Sequence, residues 1–356
     1  MGIVSKSIDF YTYVSNGKYY IRTKTKGTEL KRFDCKVPPY ITEDTTTIHL
    51  KDIGVFEHYG KFDFQVYRKI NQQDEKLLDR YGEIAPTTGN LGSSNMTEML
   101  KTPSVVTKEY AVSYGFHDSG VGRAHQCYVY VSDSHRSWMG DMLAKDQALR
   151  IIPFSTFALP GSHDAGMYEL GIPAKEIIDN AKKHNLIDGA IASVTVREVI
   201  NLALTQKDTI TMQLDLGTRF FDFRPGHHMW DSASELHHQH NFVPGCTLQT
   251  FLKQVKLFLS SNSEEIVVVC FSNDGFNKPA MTPEKDKITK MVNTVFNDTT
   301  ITTGNFADMY KTYGQLLTEK KRFIILENNN LKSTYEADVN QTTDPQKIIN
   351  QLNKLV

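Results

Sequence analysis

At 356 residues and a formal net charge of −1, the chain has room for two domains, or one large one with additions, and carries no global field that would draw it to nucleic acid or an anionic membrane. Its 40% hydrophobic and 23% charged residues are ordinary for a globular protein, and no apolar run approaches the roughly 20 residues needed to span a bilayer. The opening "MGIVSKSIDFYTY" has no apolar core of signal-peptide type, and Lys6 stands where a myristoylation site wants Ser or Thr, so a cytoplasmic location is expected. Cys35, Cys127, Cys246 and Cys270 show no C-x-x-C spacing and read as buried free thiols in a reducing compartment.

Residues 1–135 read as β structure. "FYTYVSNGKYYIRTK" sets two aromatic and β-branched runs around Ser15-Asn16-Gly17, a hairpin signal. "TTTIHLKDIGVFEHYGKFDFQVYRKI" reads as a strand and a further hairpin around Tyr59-Gly60-Lys61, and "KEYAVSYGF" and "HQCYVYVSD" as two more strands. Short strands at this spacing predict a β-sandwich whose aromatic residues form its core. Between them "GEIAPTTGNLGSSNMTEML" is a polar, Gly/Ser-rich loop.

The pattern changes in the second domain, residues 136–356. "SWMGDML" places Trp138, Met139, Met142 and Leu143 on one helical face. Strands then alternate with helices. "STFALPG" and "TRFFDFRPG" are strands, as are the buried runs "EEIVVVCFS" and "KRFIILENN". "AKEIIDNAKKHNL", "SVTVREVINLAL" and "TLQTFLKQVKLFLSS" are helices, the last with Thr247 as N-cap and Leu248, Phe251, Leu252, Val255 and Leu259 facing inward. Such alternation argues for an α/β fold with a parallel sheet, open or closed into a barrel. Convincing strands centre on Ala158, Phe221, His237, Val268 and Ile325. The stretch from Arg150 onward is near the lower limit of roughly 200 residues for a TIM barrel. The expectation is therefore a piece of a longer protein, or an incomplete barrel with an open edge near Ile325 unless the N-terminal domain or a partner covers it.

Polar clusters end three of these strands. "LPGSHDAGMY" presents His163 and Asp164. "GTRFFDFRPG" presents Asp222 and Arg224, two apart and so on one strand face. "ELHHQHNF" presents His237, His238 and His240. One histidine can take a proton from an attacking hydroxyl and another can give one to a leaving oxygen. An arginine can clasp a phosphoryl group and stabilise the charge that builds on it. Free histidine titrates near pH 6.5, so a pair can share both roles near neutrality.

These motifs, with the helix "TLQTFLKQVKLFLSS" after them, resemble the X domain of phosphatidylinositol-specific phospholipases C, over roughly Trp138 to Leu326. The resemblance implies an irregular TIM barrel, here incomplete, preceded by the β-sandwich. It implies a phosphoric diester hydrolase in which His163 is the general base, Arg224 binds the phosphate, His238 is the general acid, Asp164 supports the acid and Asp222 stands near the arginine. A phospholipid, a transient membrane surface, no cofactor and no metal go with it. In the family the acid is usually followed by glycine, and Gln239 stands here instead. Spacing to Thr247-Leu248 favours His238 over His240 and His237. The bacterial relatives also carry cations at the next two strand ends, whereas here those ends offer Ser272, Asn273, Asp274, Glu327 and Asn328, so the inositol headgroup is open. A later strand of those relatives delivers an aspartate that orients the base, and Asp338 and Asp344 are the only aspartates left downstream.

Other readings stand beside this one. His163-Asp164 would suit a helix cap with Ser162, and Asp222-Arg224 a structural ion pair. The stretch from His227 to His240 holds five of the twelve histidines; His238 and His240 share a strand face that a zinc ion would suit, while His227 and His228 read as solvated loop residues. At the level of function, a catalytically silent X domain that binds phospholipid or a protein, and a metal-dependent phosphodiesterase on a related barrel, are the alternatives.

Overall fold

The computed structural model describes residues 6–25, 30–37, 41–48, 60–71, 73–84, 103–117, 125–185, 203–276, 278–327 and 350. They divide between two compact units that part between Ser134 and His135. No helix among them is long and apolar enough to cross a membrane.

The N-terminal unit consists of β1 (Lys6–Val14), β2 (Tyr19–Thr25), β3 (Lys31–Asp34), β4 (Thr42–Ile48), β5 (Gly60–Ile70), β6 (Gln73–Ile84), β7 (Val105–Val106), β8 (Tyr110–His117) and β9 (His125–Asp133). They form a five-stranded sheet in the order β4-β1-β9-β8-β7 and a four-stranded sheet in the order β3-β2-β5-β6. One core joins the two. Phe10, Val14, Val112, Tyr114, Cys127, Val129 and Val131 of the first sheet meet Tyr19, Ile21, Phe62, Phe64, Val66 and Leu78 of the second. The two-residue spacing of Phe62, Phe64 and Val66 is what a strand with one buried face requires.

Two hairpin expectations fail here. Ser15-Asn16-Gly17 does turn the chain, but β1 pairs with β4 and β9 while β2 pairs with β3 and β5. Both edges of each strand are thus occupied, and the turn carries the chain from one sheet to the other. Asp133 braces it, accepting from Asn16 Nδ2 (3.1 Å), Lys18 Nζ (3.1 Å) and Tyr19 Oη (2.8 Å). Gly60 and Lys61 lie within β5, and the hairpin to β6 turns at Asn71, whose φ is 50°. The polar loop expected over 82–100 lies outside the described residues beyond Ile84.

The second unit opens with α1 (Trp138–Lys145), which buries Met139 and Leu143. Then come β10 (Gly161–Ser162), α2 (Ala174–Lys183), α3 (Ile210–Asp215), β11 (Phe220–Phe223), β12 (Pro225–Gly226), β13 (His237–His240), β14 (Val243–Thr247) and α4 (Leu248–Ser261). β15 (Val267–Phe271), α5 (Lys285–Val295), β16 (Thr302–Gly304), α6 (Tyr313–Thr318) and β17 (Lys321–Glu327) complete it. The helix expected over "SVTVREVINLAL" falls largely outside the described residues.

Five strands make a parallel sheet in the order β10-β11-β15-β17-β16, and β12-β13-β14 form a separate antiparallel ribbon. No ladder closes the sheet among the described residues, so they form mixed α/β structure without a closed TIM barrel. Alternate residues serve opposite faces. Phe221, Phe223, Val267, Val269 and Phe323 pack with α3, α4 and α5, whereas Phe220, Val268, Ile324 and Leu326 pack with α1, α6 and Phe154. In α4, Thr247 accepts from the Thr250 N–H at 3.0 Å, and Leu248, Phe251, Leu252, Val255 and Leu259 are all buried.

Three expectations need correction. The segment around Ala158 is not a strand: Phe154–Thr156 is a 3-10 turn and only Gly161 and Ser162 pair with β11. Pro160 has no N–H to give a ladder, and its carbonyl instead accepts from the N–H groups of Arg219 and Phe220. The strand at His237 belongs to the ribbon, not the sheet. The edge near Ile325 is not open, because β16 pairs along β17; that strand is three polar or small residues long and carries no apolar signal.

The sheet's base holds a buried ion pair. Arg219 is 0% exposed and Glu265 1%. Glu265 Oε2 accepts from Arg219 Nε (2.7 Å), and the guanidinium also donates to the carbonyls of Arg136 (2.6 Å), Leu214 (2.8 Å) and Thr218 (2.8 Å). Glu265 Oε1 accepts from the Gly140 N–H at 3.0 Å, so the pair ties the entry of β11 and β15 to α1. Removing one member strands a buried charge. Arg219→Met should lower stability by about 3–5 kcal/mol in urea denaturation; a loss under about 1 kcal/mol, the ceiling for an exposed pair, would show that the pair does not anchor the sheet.

Candidate active site

Parallel pairing of β10 with β11 sets His163-Asp164 beside Asp222-Arg224 at the C-terminal end of the sheet, where open α/β folds place their ligands. Asp222 is flanked by Phe221 and Phe223, which point into the helical core, so it and Arg224 take the opposite face. Asp164 holds a left-handed backbone, φ 48°, in a turn closed by the Met167 N–H on its carbonyl (2.9 Å). No helix begins there, which removes the capping alternative. A side chain at Gly166 would place its Cβ 2.4 Å from His238 Cβ, so glycine is what lets this loop lie against β13.

One guanidinium bridges two carboxylates. Arg224 Nη2 lies 2.8 Å from Asp222 Oδ2, and Nη1 lies 3.3 Å from Asp164 Oδ1. Asp222 Oδ2 also receives His163 Nδ1 at 3.0 Å, which leaves Nε2 of that ring 3.4 Å from Asp164 Oδ2. The ion-pair reading of Asp222 and Arg224 is therefore met, with both groups inside a larger cluster. The aspartate beside His163 comes from β11; Asp338 and Asp344 lie outside the described residues.

The three candidate acids are differently placed. His237 Nδ1 is held by the Gly245 carbonyl at 2.8 Å, and its ring packs on His228, so it stands outside the cluster. His238 is 0% exposed, its ring edge on Phe223 and its Nδ1 accepting from the Arg224 N–H at 3.1 Å. Its Nε2 lies 3.5 Å from Asp164 Oδ1, at the outer limit of a hydrogen bond, and neither atom has a hydrogen-bond partner. His240 is 26% exposed, with Nε2 3.8 Å from Asp164 Oδ2.

Proton affinities follow from these contacts. The Asp222 hydrogen bond raises the pKa of His163, against burial. Burial opposes ionisation of Asp164 and Asp222, yet His238, Arg224 and His163 around the first, and His163 and Arg224 around the second, hold both below the usual carboxylate range. Burial works against the charge on Arg224, and the two carboxylates override it. Burial lowers His238 and His240.

Donor atoms of His163, Asp164 and Asp222 lie within 4.8 Å of one another, close enough to suit a cation, but the Arg224 guanidinium already rests on both carboxylates. His238 and His240, the pair considered for zinc, are not part of that group. His227 and His228 are buried, not solvated: His227 Nδ1 sits 2.7 Å from the Ser234 carbonyl, and the His228 ring packs between Trp230 and His237. Pairing of Pro225-Gly226 with β13 pulls the start of this loop inward.

Two side chains that sequence reasoning passed over hold the first motif. Gln206 Nε2 donates to the His163 carbonyl at 2.6 Å, and Gln213 spans Ser162 Oγ (2.7 Å) and the Ala165 carbonyl (3.0 Å). Nothing marks either one in sequence, because their value lies in contacts more than 40 residues away. At the neighbouring strand ends, Ser272, Asn273 and Asp274 follow β15, and Glu327 pairs with Lys285 at 2.7 Å. Asn328 lies outside the described residues.

A parallel α/β sheet with a His–Asp–Arg cluster at its strand ends is the class that fold and site define. Residues 190–329 match the model of the family "Phosphatidylinositol-specific phospholipase C, X domain", so this segment is similar to that domain. His163 and Asp164 lie before the matched range. Two similar proteins from Danio rerio are PI-PLC X domain-containing protein 1, 28% identical over 146 residues (41% of this chain, 46% of the relative), and PI-PLC X domain-containing protein 3, 28% identical over 167 residues (46% and 49%). The match thus spans less than half the length of either relative. A mutant of the phosphatidylinositol-specific phospholipase C from Staphylococcus aureus aligns at 24% identity and a TM-score of 0.34, over 57% of this chain and 54% of its own.

The His163–Asp222 contact generates a titration prediction. Followed by NMR, His163 should titrate above the roughly 6.5 of free histidine, and Asp222→Asn should bring it down, since a carboxylate that favours the imidazolium is lost. The associated stabilisation is complete below about pH 6.5 and is lost as pH rises through the folded-state value. A midpoint at or below 6.5 in the unmodified protein would mean that the contact does not hold in solution.

Proposed function

We propose that this chain cleaves the phosphodiester of a phospholipid headgroup without a metal, on an X domain whose five parallel strands are part of a TIM-type barrel. The observation that supports it most is the sharing of Asp222 Oδ2 by Arg224 and His163, 2.8 and 3.0 Å away. With Nδ1–H donating to Asp222, the lone pair of a neutral His163 is on Nε2, the correct tautomer for a base. A hydroxyl of the headgroup attacks phosphorus and its proton passes to His163 Nε2. The bond from phosphorus to the diacylglycerol oxygen breaks, and a second histidine beside Asp164 protonates that oxygen. The products are a cyclic headgroup phosphate and diacylglycerol. Arg224, oriented before substrate arrives, meets the charge that builds on the phosphoryl oxygens, the role a divalent ion would otherwise take.

Charge narrows the headgroup. Asp164 and Asp222 outweigh Arg224, and Asp274 beyond β15 acts on the same guanidinium. A phosphodiester adds one more negative charge. Headgroups with further phosphates are therefore disfavoured relative to unphosphorylated ones.

The test is a panel of vesicles of phosphatidylinositol, its phosphorylated forms, phosphatidylcholine and phosphatidylethanolamine, assayed for diacylglycerol. Release should occur with phosphatidylinositol, whose unphosphorylated headgroup carries a free hydroxyl, and not with phosphatidylcholine or phosphatidylethanolamine, which have none; it should persist in EDTA, and His163→Ala should remove about 10²–10⁴-fold of the rate. Activity that vanishes in chelator and returns with calcium would overturn the metal-free assignment. Vesicle binding with no diacylglycerol from any lipid would replace this reading with that of a silent X domain.

A further inference from the structure

Resting on that reading, we infer that His240 donates the proton to the leaving oxygen and that the more deeply placed His238 is a positioning residue. A general acid has to come within about 2.6–3.2 Å of the oxygen it protonates. His238 offers no such approach. Its side chain is 0% exposed, its Nε2 is sealed from solvent, and its Nδ1 is taken by the Arg224 N–H. The loop at Gly166 lies on its Cβ and leaves no room for a side chain there. What His238 does in place is hold the backbone of Arg224 on one side and face Asp164 Oδ1 on the other.

His240 sits at the last position of β13, before the left-handed turn at Asn241, φ 56°. Its ring is 26% exposed, close to the 33% of His163. Both rings aim Nε2 at one atom, Asp164 Oδ2, from 3.4 Å for His163 and 3.8 Å for His240. The two oxygens of Asp164 thus divide the work. Oδ1 faces Arg224 and the buried histidine, and Oδ2 lies between the two histidines that solvent can reach. A phosphoryl group seated there would have a base on one side and an acid on the other. Burial, Arg224 and His163 hold the His240 pKa down in the unliganded site, whereas Asp164 favours its imidazolium and a docked anion adds to that.

The experiment compares two leaving groups. The phospholipid that the panel shows to be cleaved is paired with the same headgroup phosphate esterified to 4-nitrophenol, whose anion departs without a proton. His240→Ala should lower the rate on the phospholipid by about 10²–10⁴-fold and on the nitrophenyl ester by less than about tenfold. His238→Asn, whose amide oxygen can accept the Arg224 N–H, should lower both by the same factor, as a positioning role requires. The reverse pattern would overturn the inference and leave the cleavage reading intact. If the unmodified protein releases neither product, the cleavage reading falls and the inference falls with it. A second measurement does not depend on the variants folding. In ¹⁵N-histidine NMR of the unmodified protein, inorganic phosphate should shift the ring signals of His163 and His240 and leave His238 a neutral Nε2–H tautomer. Phosphate that moves His238 and not His240 would refute the assignment.

Discussion

A single guanidinium between two carboxylates governs the second unit's polar end. Side chains of Asp164, Asp222 and Arg224 are 4%, 19% and 10% exposed, and no group so enclosed stays ionised without a partner. The two carboxylates come from adjacent strand ends, so the pairing of β10 with β11 and the charge balance stand or fall together. Arg224 cannot move without taking from both acids the guanidinium they share, and its backbone N–H is fixed separately by His238. The result is an arginine held in one orientation by its side-chain and backbone partners, as a preorganised site requires.

The support for this cluster is distributed over both ends of the sheet. At the base, Arg219 and Glu265 hold β11 and β15 to α1, while at the top Gln206 and Gln213 hold the loop that carries His163. Between them lie strands that are apolar on both faces, as a sheet covered by helices on each side demands. Most buried polar groups inside this framework meet an identifiable partner, which is how they tolerate burial. The exceptions are few, and two of them, Asp164 Oδ1 and His238 Nε2, face each other in the cluster itself.

Local signals were legible and long-range ones were not. The period of two in "FFDFRP" placed Asp222 and Arg224 on one face, and the apolar runs of β15 and β17 and the stripe of α4 read directly as core. "TTG" of β16 could not be read, because a short edge strand is recognised by its neighbour and not by its own side chains. The turn at Asn16 was legible as a turn but not as a crossing between sheets, a matter decided by strands more than 100 residues away in β9. His227 and His228 sit in a segment of loop composition, and only the pairing of β12 with β13 draws it inside.

Depth is a different quantity from facing. His238 and His240 are two apart and look equivalent by strand period, yet one is sealed and the other open to solvent. The ribbon accounts for this: register shifts between His237 and Gln239, and β13 ends at His240. A residue in the middle of such a ribbon is roofed by the neighbouring loop, and one at its end is not. The same separation holds for the site at large. The His–Asp–Arg cluster stands at the ends of β10, β11 and β13, and the ends of β15 and β17 lie next along the sheet of β10 and β11. Charge at the second set can change without touching the first. Under the proposed reading, Ser272, Asn273 and Asp274, of which Asp274 acts on the Arg224 guanidinium, would select the headgroup while His163, Asp164, Asp222 and Arg224 act on the phosphodiester, so the bond attacked and the headgroup accepted would be set by different strands.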